Sequence, residues 1–144
     1  MIYPKSWNKP SLTPEQVREW KSWIHELRAT DKKQGTFYLC DHDTYCCLGI
    51  RCERAVAARR VMRAPRKDGV VTFSARLQDL PDVEAERLGT SNYVPVPSGI
   101  YKGRYCAYAT HLNDRAKLTF KEIADVLEWA YLDGPRPEFY KEEA

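Results

Sequence analysis

Four cysteines and a histidine lie within residues 40–52, in the segment CDHDTYCCLGIRC. Thiolate and imidazole groups are common zinc ligands, but structural zinc sites use cysteine pairs separated by about two to four residues, with a second pair elsewhere. Here five residues separate Cys40 from Cys46, Cys47 is adjacent to Cys46, and four residues separate Cys47 from Cys52. We therefore predict no metal or other cofactor, and keep Cys40, His42 and Cys46 as the alternative metal ligands.

A catalytic cysteine is the other chemical possibility for this segment. A nucleophilic thiol needs an exposed, electropositive position and a base, most often histidine. His42 and His111 are the candidate bases, but no local spacing connects either of them with a particular cysteine. Free cysteine is also among the most frequently buried residue types. We predict no catalytic residue and interpret these cysteines as part of a buried helix, with a metal- or thiol-dependent enzyme centred on Cys40, His42 and Cys46 as an alternative function.

A basic stretch overlaps the end of the cysteine-rich segment. Seven cations fall within residues 51–67, namely Arg51, Arg54, Arg59, Arg60, Arg63, Arg66 and Lys67. Guanidinium groups could bind phosphate in nucleic acid or in a nucleotide, whereas such runs are commonly solvated helix ends. The net charge of +3 is far from that of a dedicated nucleic-acid-binding protein. We predict the main contact surface here, together with exposed aromatic residues between Tyr93 and Tyr108.

A second polar cluster contains His111, Asn113 and Asp114 and precedes the last predicted helix. Polar side chains in a loop could line a ligand pocket, because loops on a rigid scaffold often carry function. The structural alternative is that Asn113 and Asp114 form the turn that leads into the helix. We include the three residues among the candidate binding residues.

Hydrophobic periodicity and end signals predict the elements that position these residues. Helices are predicted over 13–29, 45–57, 80–89 and 119–132, and the first and last begin with capping boxes. The β-prone segments are 36–40, 70–73 and 105–109. The segment 93–97 is excluded as a central strand, because its two prolines lack N–H donors.

These elements predict a single domain over residues 1–144, with residues 1–11 as an extended arm and residues 135–144 as a loose tail. The predicted fold is α+β, with three or four helices packed on a small antiparallel sheet. Gly49 is expected to let the two longest helices approach the 45–57 helix. The 119–132 helix is similar to the first helix of a helix-turn-helix, but prolines follow it, so this motif would need a partner helix earlier in the chain.

Two segments form a distinctive pair of motifs: YLCD…YCCLGIRC from Tyr38, and LND…LTFKEIADVLE from Leu112. The pair resembles an uncharacterised family of small bacteriophage and prophage proteins with a YCCLG(V/I)xC core and a closing LND…(S/T)FxEIAD helix. A tryptophan-containing first helix and a middle Pro…Val…Leu-Gly segment also resemble that family, so the similarity spans roughly residues 16–131. This chain differs at Arg51, where the family usually has an apolar residue, and in its longer basic stretch. The resemblance implies a phage origin and an accessory role, and it supplies no activity, cofactor or catalytic residue.

Composition and the absence of common signatures favour a protein that acts by binding. No apolar run approaches the about 20 residues of a membrane helix, and the N-terminal MIYPKSWNKPS lacks the apolar region of a secretory signal. We therefore predict a small, non-enzymatic accessory protein in the cytoplasm of a bacterial host, with a host or phage protein or a small ligand as partner and without membrane association. Binding of nucleic acid or nucleotide phosphate through residues 51–67 is the first alternative.

Overall fold

Five helices lie within residues 3–143, the part of the chain that the computed structural model describes. They are α1 (Pro14–Ala29), α2 (Cys47–Ala57), α3 (Asp82–Leu88), α4 (Ala109–Asp114) and α5 (Phe120–Leu132). Four of them match predicted helices, whereas α4 replaces the loop that was predicted around His111. None of the helices in this part of the chain is long and apolar enough to cross a membrane.

Eight short strands form two sheets in the same part of the chain. The strands are β1 (Lys33–Gln34), β2 (Cys40–Asp41), β3 (Thr44–Tyr45), β4 (Arg63–Pro65), β5 (Val70–Phe73), β6 (Pro95–Tyr101), β7 (Arg104–Tyr108) and β8 (Tyr140–Lys141). One sheet has the order β1-β3-β2-β5-β4 and the other has the order β7-β6-β8. Their paired strands are antiparallel except for β1 and β3, which are parallel. The predicted α+β fold is confirmed, with two small sheets instead of one.

Capping boxes begin the two longest helices. The Thr13 hydroxyl accepts a hydrogen bond from the Gln16 N–H, and the Gln16 side chain accepts one from the Thr13 N–H. Thr119 and Glu122 form the same reciprocal pair at the start of α5. Each box satisfies N–H groups that have no partner inside the helix, which explains why both helices begin where the sequence predicts.

Helices α1 and α5 pack against each other and contribute the largest side chains of the core. Trp20 of α1 stacks on Tyr131 of α5 with ring centroids 3.7 Å apart. The indole N–H of Trp20 donates to the Leu88 carbonyl at the end of α3, and the indole N–H of Trp23 donates to the Cys47 carbonyl of α2. Each indole therefore buries a large apolar area while its only donor is satisfied. One hydrophobic core connects the helices and both sheets.

Gly49 is the point of closest approach between α2 and the segment before β2. A Cβ atom at Gly49 would lie 1.8 Å from the Leu39 carbonyl oxygen, which is far inside the van der Waals distance. The prediction that Gly49 permits a close approach is confirmed. The predicted neighbour is wrong, because the backbone of Leu39 fills this place and not α1 or α5.

Strand β6 contradicts the exclusion of the segment with Pro95 and Pro97 from a central strand, since β6 lies between β7 and β8. The pairing with β8 involves only Ile100 and Tyr101, beyond both prolines. The pairing with β7 is irregular between Pro95 and Gly99. No regular hydrogen bond of the sheet needs an N–H group at Pro95 or Pro97, which is why two prolines are tolerated in this strand.

Both ends of the described chain are docked on the core. The Tyr3 hydroxyl donates to the Trp129 carbonyl at 2.5 Å, and the Trp7 indole N–H donates to the Ala130 carbonyl at 3.1 Å, so the N-terminal arm satisfies acceptors in the last turn of α5. The predicted loose tail is wrong, because β8 pairs with β6 and Tyr140 is buried. Residues 1–2 of the predicted arm and residue 144 of the predicted tail lie outside the described residues.

Candidate functional site

The cysteines of the CDHDTYCCLGIRC segment lie inside the molecule. All five cysteines of the chain are free and buried. Cys46 is the N-cap residue of α2, and Cys47 and Cys52 lie within α2 among the side chains of the core. The Cys47 thiol donates to the Ala109 carbonyl at 3.7 Å, a weak contact typical of a buried sulfur. Their position agrees with the interpretation that these cysteines act as small apolar residues.

Burial also makes these thiols poor nucleophiles. It raises the pKa of Cys46 to about 12 and the pKa of Cys106 to about 11, although Arg115 partly opposes the effect at Cys106. The pKa values of Cys47 and Cys52 are raised well above the ordinary value for the same reason. Because the thiolate is the reactive form of cysteine, this environment does not favour thiol chemistry.

The alternative metal ligands do not share one environment. The His42 side chain is 72% exposed, and its Nδ1 atom lies 2.7 Å from an Asp41 carboxylate oxygen. Cys40 and Cys46 are buried, and the Cys40 thiol donates to the His42 carbonyl at 3.3 Å. Within residues 3–143, no group of three or more histidine, cysteine, aspartate or glutamate side chains is arranged to hold a metal ion.

Arg51, the first residue of the basic stretch, belongs to a buried network of ion pairs. Its Nε donates to a Glu84 carboxylate oxygen at 2.9 Å, and its Nη2 donates to Glu19 at 2.5 Å. Arg60 donates twice to the same Glu84 carboxylate, and Arg87 donates to Glu19. Burial alone would raise the pKa of Glu19, but hydrogen bonds from Arg87 and Arg51 lower it to about 2. The prediction that Arg51 lies on a contact surface is wrong, because its side chain is fully buried.

The other cations of the basic stretch are divided between ion pairs and free surface positions. Arg54 pairs with Glu26, Arg63 pairs with Glu53, and Arg66 pairs with Asp68. Arg59 and Lys67 are exposed and form no ion pair within residues 3–143. Part of the predicted turn is strand β4, which pairs with β5. Most of the cationic charge is therefore compensated locally by carboxylates.

Asn113 is a buried structural residue that connects three elements. Its Oδ1 atom accepts hydrogen bonds from the Gln34 side chain and from the Cys47 N–H, and its Nδ2 atom donates to the Gly35 carbonyl at 2.8 Å. The N-cap residue of α2, Cys46, forms no side-chain capping bond. Asn113 therefore supplies from α4 an acceptor for the start of α2, which is the function of an N-cap side chain.

His111 and Asp114 lie one turn apart on α4, and each accepts a hydrogen bond from a neighbouring backbone N–H. The His111 Nδ1 atom accepts from the Ala107 N–H of β7 at 3.1 Å, and an Asp114 carboxylate oxygen accepts from the Phe37 N–H at 3.0 Å. An accepting nitrogen belongs to the neutral imidazole. Burial, and to a lesser extent Arg115, lower the pKa of His111, which favours this neutral form.

Exposed aromatic residues lie beside His111 and Asp114. Tyr93 is 50% exposed and Tyr108 is 40% exposed, and their rings are in edge contact with centroids 6.3 Å apart. The Tyr108 ring also contacts the His111 imidazole edge-on at 5.2 Å. Phe37, whose N–H binds Asp114, is 58% exposed. We define the aromatic surface as Tyr93, Tyr108, His111, Asp114 and Phe37. It contains two of the three residues of the predicted polar cluster.

Two segments that carry these rings have unusual backbone conformations. Phe37 has a φ of 76°, and Val94, which follows Tyr93, has a φ of 58°. A bulky or β-branched residue at positive φ costs about 1–3 kcal/mol and persists only where its surroundings enforce it. The Asp114 carboxylate binds the Phe37 N–H, and the Val94 carbonyl accepts from the Ala109 N–H at 2.8 Å. The rings are therefore held on a fixed framework.

The α4–α5 pair does not form a DNA-reading unit. Although α4 precedes α5 in the chain, as a helix-turn-helix would require, most of α5 is buried, including Phe120, Ile123 and Leu127. A recognition helix must place side chains in the major groove. Helix α5 is a core element, so it cannot serve as a recognition helix in this fold.

The sequence indicated Tyr93, Tyr108, His111 and Asp114 but not Phe37, which falls in a segment predicted as a strand and has no local signal of exposure.

Comparison of the chain with protein-family models, with curated proteins and with solved structures found no match. The candidate site therefore depends on the geometry of these residues alone.

Proposed function

We propose that the chain is a small phage-encoded accessory protein of the host cytoplasm that binds another protein through its aromatic surface. The phage origin and the cytoplasmic location depend on the sequence resemblance. The binding function depends on one observation, the continuous ring contacts of Tyr93, Tyr108 and His111 at half-exposed positions. Tyrosine is enriched at the centres of protein interfaces, because its rigid ring covers a large area and its hydroxyl remains available for hydrogen bonding.

The charges of the basic stretch do not favour nucleic acid as its partner. Binding to a phosphate backbone needs several uncompensated cations on one surface. In the basic stretch Arg51 and Arg60 are bound by Glu84, and three further arginines have carboxylate partners. Arg59 and Lys67 are too few to hold a nucleic-acid strand.

The shape of the aromatic surface favours a macromolecule over a small ligand. Small-molecule sites are concave and enclose most of the ligand, whereas the rings of Tyr93 and Tyr108 project into solvent. A groove of about 420 Å³ lies elsewhere, between α5 and the segment Pro135–Phe139. Its carboxylates Asp125 and Glu128 are already paired with Arg28.

Substitution of the tyrosines tests this function. The immobilised protein should retain a discrete partner from lysate of the host cell, identified by mass spectrometry, and the purified partner should bind with a measurable Kd. Tyr93→Ala and Tyr108→Ala should each weaken that binding about fivefold or more, since truncation of a central interface tyrosine costs more than about 1 kcal/mol. Circular dichroism would verify that both variants fold.

Met62→Ala is the matched control, because Met62 is 79% exposed and lies next to β4, away from the aromatic surface. Its affinity should equal that of the unmodified protein. A mobility-shift titration at two salt concentrations addresses the nucleic-acid alternative. A shift that fades steeply with salt, combined with unchanged partner binding by the tyrosine variants, would contradict the proposed function.

A further inference from the structure

Strand β7 lies at the edge of the three-stranded sheet, next to the aromatic surface. It is joined to β6 by the two-residue turn Lys102–Gly103, where φ is 47° and 82°. Positive φ at both turn residues defines a type I′ turn. In a hairpin with this turn, the flanking residues Tyr101 and Arg104 form two N–H···O=C hydrogen bonds with each other. The edge strand therefore has a register that its turn fixes.

This register determines which backbone groups of β7 face away from the sheet. Hydrogen-bonded and non-hydrogen-bonded pairs alternate along an antiparallel ladder, so Arg104 and Cys106 bond to β6, while the N–H and C=O groups of Tyr105 point outward. Beyond Cys106 the register shifts, and because Pro95 has no N–H, its pairing with Tyr108 turns the Ala107 carbonyl toward β6. The opposite side of β6 agrees with this alternation, because the Lys102 N–H donates to the Phe139 carbonyl just before β8. Tyr105 thus presents the free edge, and the Ala107 N–H lies beyond it.

One of the outward donors is occupied by a side chain and not by a strand. The Ala107 N–H donates to the His111 Nδ1 atom at 3.1 Å. Unpaired edges attract additional strands, and proteins often protect them with side chains. His111 therefore protects the N–H of Ala107, at the end of β7 nearest α4. It does not protect the N–H and C=O groups of Tyr105.

The charge beside the edge is positive. Arg104 on β7 and Arg115 after α4 are exposed, and neither forms an ion pair within residues 3–143. Arg115 lies close enough to Cys106 and His111 to affect both of their pKa values, which places it beside β7. Lys102 is already paired with Glu122. Two uncompensated guanidinium groups therefore flank the strand.

We propose that the partner binds by strand addition, in which an extended segment with acidic side chains pairs with Tyr105 as a short fourth strand beside β7. This inference depends on the proposed function and specifies the partner. Main-chain bonds to the edge would supply affinity, and alternate side chains would supply specificity. The rings of Tyr105 and Tyr108, three residues apart on β7, would lie on opposite faces of the extended sheet.

The charge also argues against a second copy of this chain as the added strand. Pairing of two β7 edges would add the exposed Arg104 and Arg115 of a second copy to an edge that already carries both, and like charges at paired strands are destabilising. An acidic segment would instead pair with Arg104 and Arg115. The occupant is therefore a different protein.

Titration of the ¹⁵N-labelled full chain with synthetic peptides tests strand addition. The probe is a capped nine-residue peptide of alternating glutamate and valine, and the controls are its lysine–valine counterpart and the acidic peptide with a central proline. The acidic peptide at up to about 1 mM should shift the amide signals of Tyr105 and its neighbours and slow the hydrogen exchange of Tyr105 about tenfold. Both control peptides should leave these signals unchanged.

Two substitutions of Tyr105 distinguish the contribution of its backbone N–H from that of its ring. Because the Tyr105 N–H points outward, Tyr105→Pro removes an edge donor without removing a bond to β6, so it should abolish the response to the acidic peptide. Tyr105→Ala keeps the donor and should retain the edge response. The ¹⁵N spectrum verifies the fold of each variant, and the proline-containing peptide tests the same bond from the other side.

Three results would overturn strand addition: equal responses to the acidic and basic peptides, an unchanged Tyr105 signal at the highest concentration, or edge protection that appears with protein concentration alone. The last result would identify a second copy as the occupant. If the peptide fails while Tyr108→Ala still loses the captured partner, strand addition is wrong and the proposed function stands. If the tyrosine variants also bind normally, both are wrong.

Discussion

Replacement of Glu84 by alanine should lower the free energy of unfolding by about 3–5 kcal/mol, because it leaves a buried charge without its main partner. The Arg51 and Glu84 side chains are both fully buried and lie 2.9 Å apart. Without Glu84, Arg51 would keep only its contacts with Glu19, and Arg60 would lose its carboxylate. A fully buried guanidinium that loses one of its two carboxylates keeps donors without a partner, which costs more than the net worth of the original pair.

Urea unfolding of purified variants measures this effect. Glu86→Ala is the matched control, because Glu86 lies in the same helix and is exposed, so its substitution should change the free energy of unfolding by less than about 0.5 kcal/mol. The double variant Arg51→Met/Glu84→Met replaces the buried pair by apolar side chains and should be more stable than Glu84→Ala. Equal stability of Glu84→Ala and Glu86→Ala would show that the buried network is not formed.

Replacement of Gly49 by alanine should destabilise the fold by about 3 kcal/mol, although alanine favours a helix by about 1 kcal/mol over glycine. The new Cβ atom would lie 1.8 Å from the Leu39 carbonyl oxygen. Backbone atoms cannot rotate away as a side chain can, so α2 or the segment before β2 must move. The steric cost therefore exceeds the gain in helix propensity.

Thermal and urea unfolding of Gly49→Ala test this prediction against Gly134→Ala. A Cβ at Gly134 would lie 2.7 Å from the Glu128 Cγ atom, which can shift, and 3.1 Å from the Glu128 carbonyl carbon, where a displacement of a few tenths of an ångström suffices. The Gly134 variant should lose less than about 1 kcal/mol. A Gly49→Ala variant as stable as the unmodified protein would contradict the close approach between α2 and Leu39.

Much of the fold follows from local sequence signals. The capping boxes at Thr13 and Thr119 determine where the two longest helices begin, and the apolar periodicity after each box predicts their length. Gly89 adopts the left-handed conformation that ends α3, as its position after the predicted helix suggests. These features depend on residues a few positions apart, so the sequence alone suffices.

Other features depend on contacts between distant residues. The interior position of Arg51 requires Glu84 and Glu19, which lie 33 and 32 residues away in sequence. The basic run therefore resembles an exposed surface until its partners are known. Strand β8 is stabilised by Tyr140 packing in the core, and Asn113 becomes a capping residue only because α2 begins beside it. Local patterns carry no signal for such partnerships.

The sequence predicts only part of the candidate site, because the rest of the site also depends on contacts between distant residues. Tyr93, Tyr108 and His111 lie in segments that the sequence analysis singled out, and their types suggest a contact surface. Phe37 joins them through the hydrogen bond of its N–H to Asp114, which lies 77 residues away. The edge position of β7 depends on β6 being the central strand of its sheet. The two prolines of β6 argue against a central strand, so the sequence did not predict this arrangement.

The cysteines of this protein are buried and most of its arginines are paired with carboxylates, and we propose that recognition depends on the aromatic surface and the β7 edge. Titration of the native protein with Ellman's reagent tests this division most directly. We predict that all five thiols react at least about a hundredfold more slowly than a free thiol, because each must first be exposed by local or global unfolding. All five should react at once in denaturant. A native thiol that reacts as fast as a free one would contradict this division and return the function to the cysteine-rich segment.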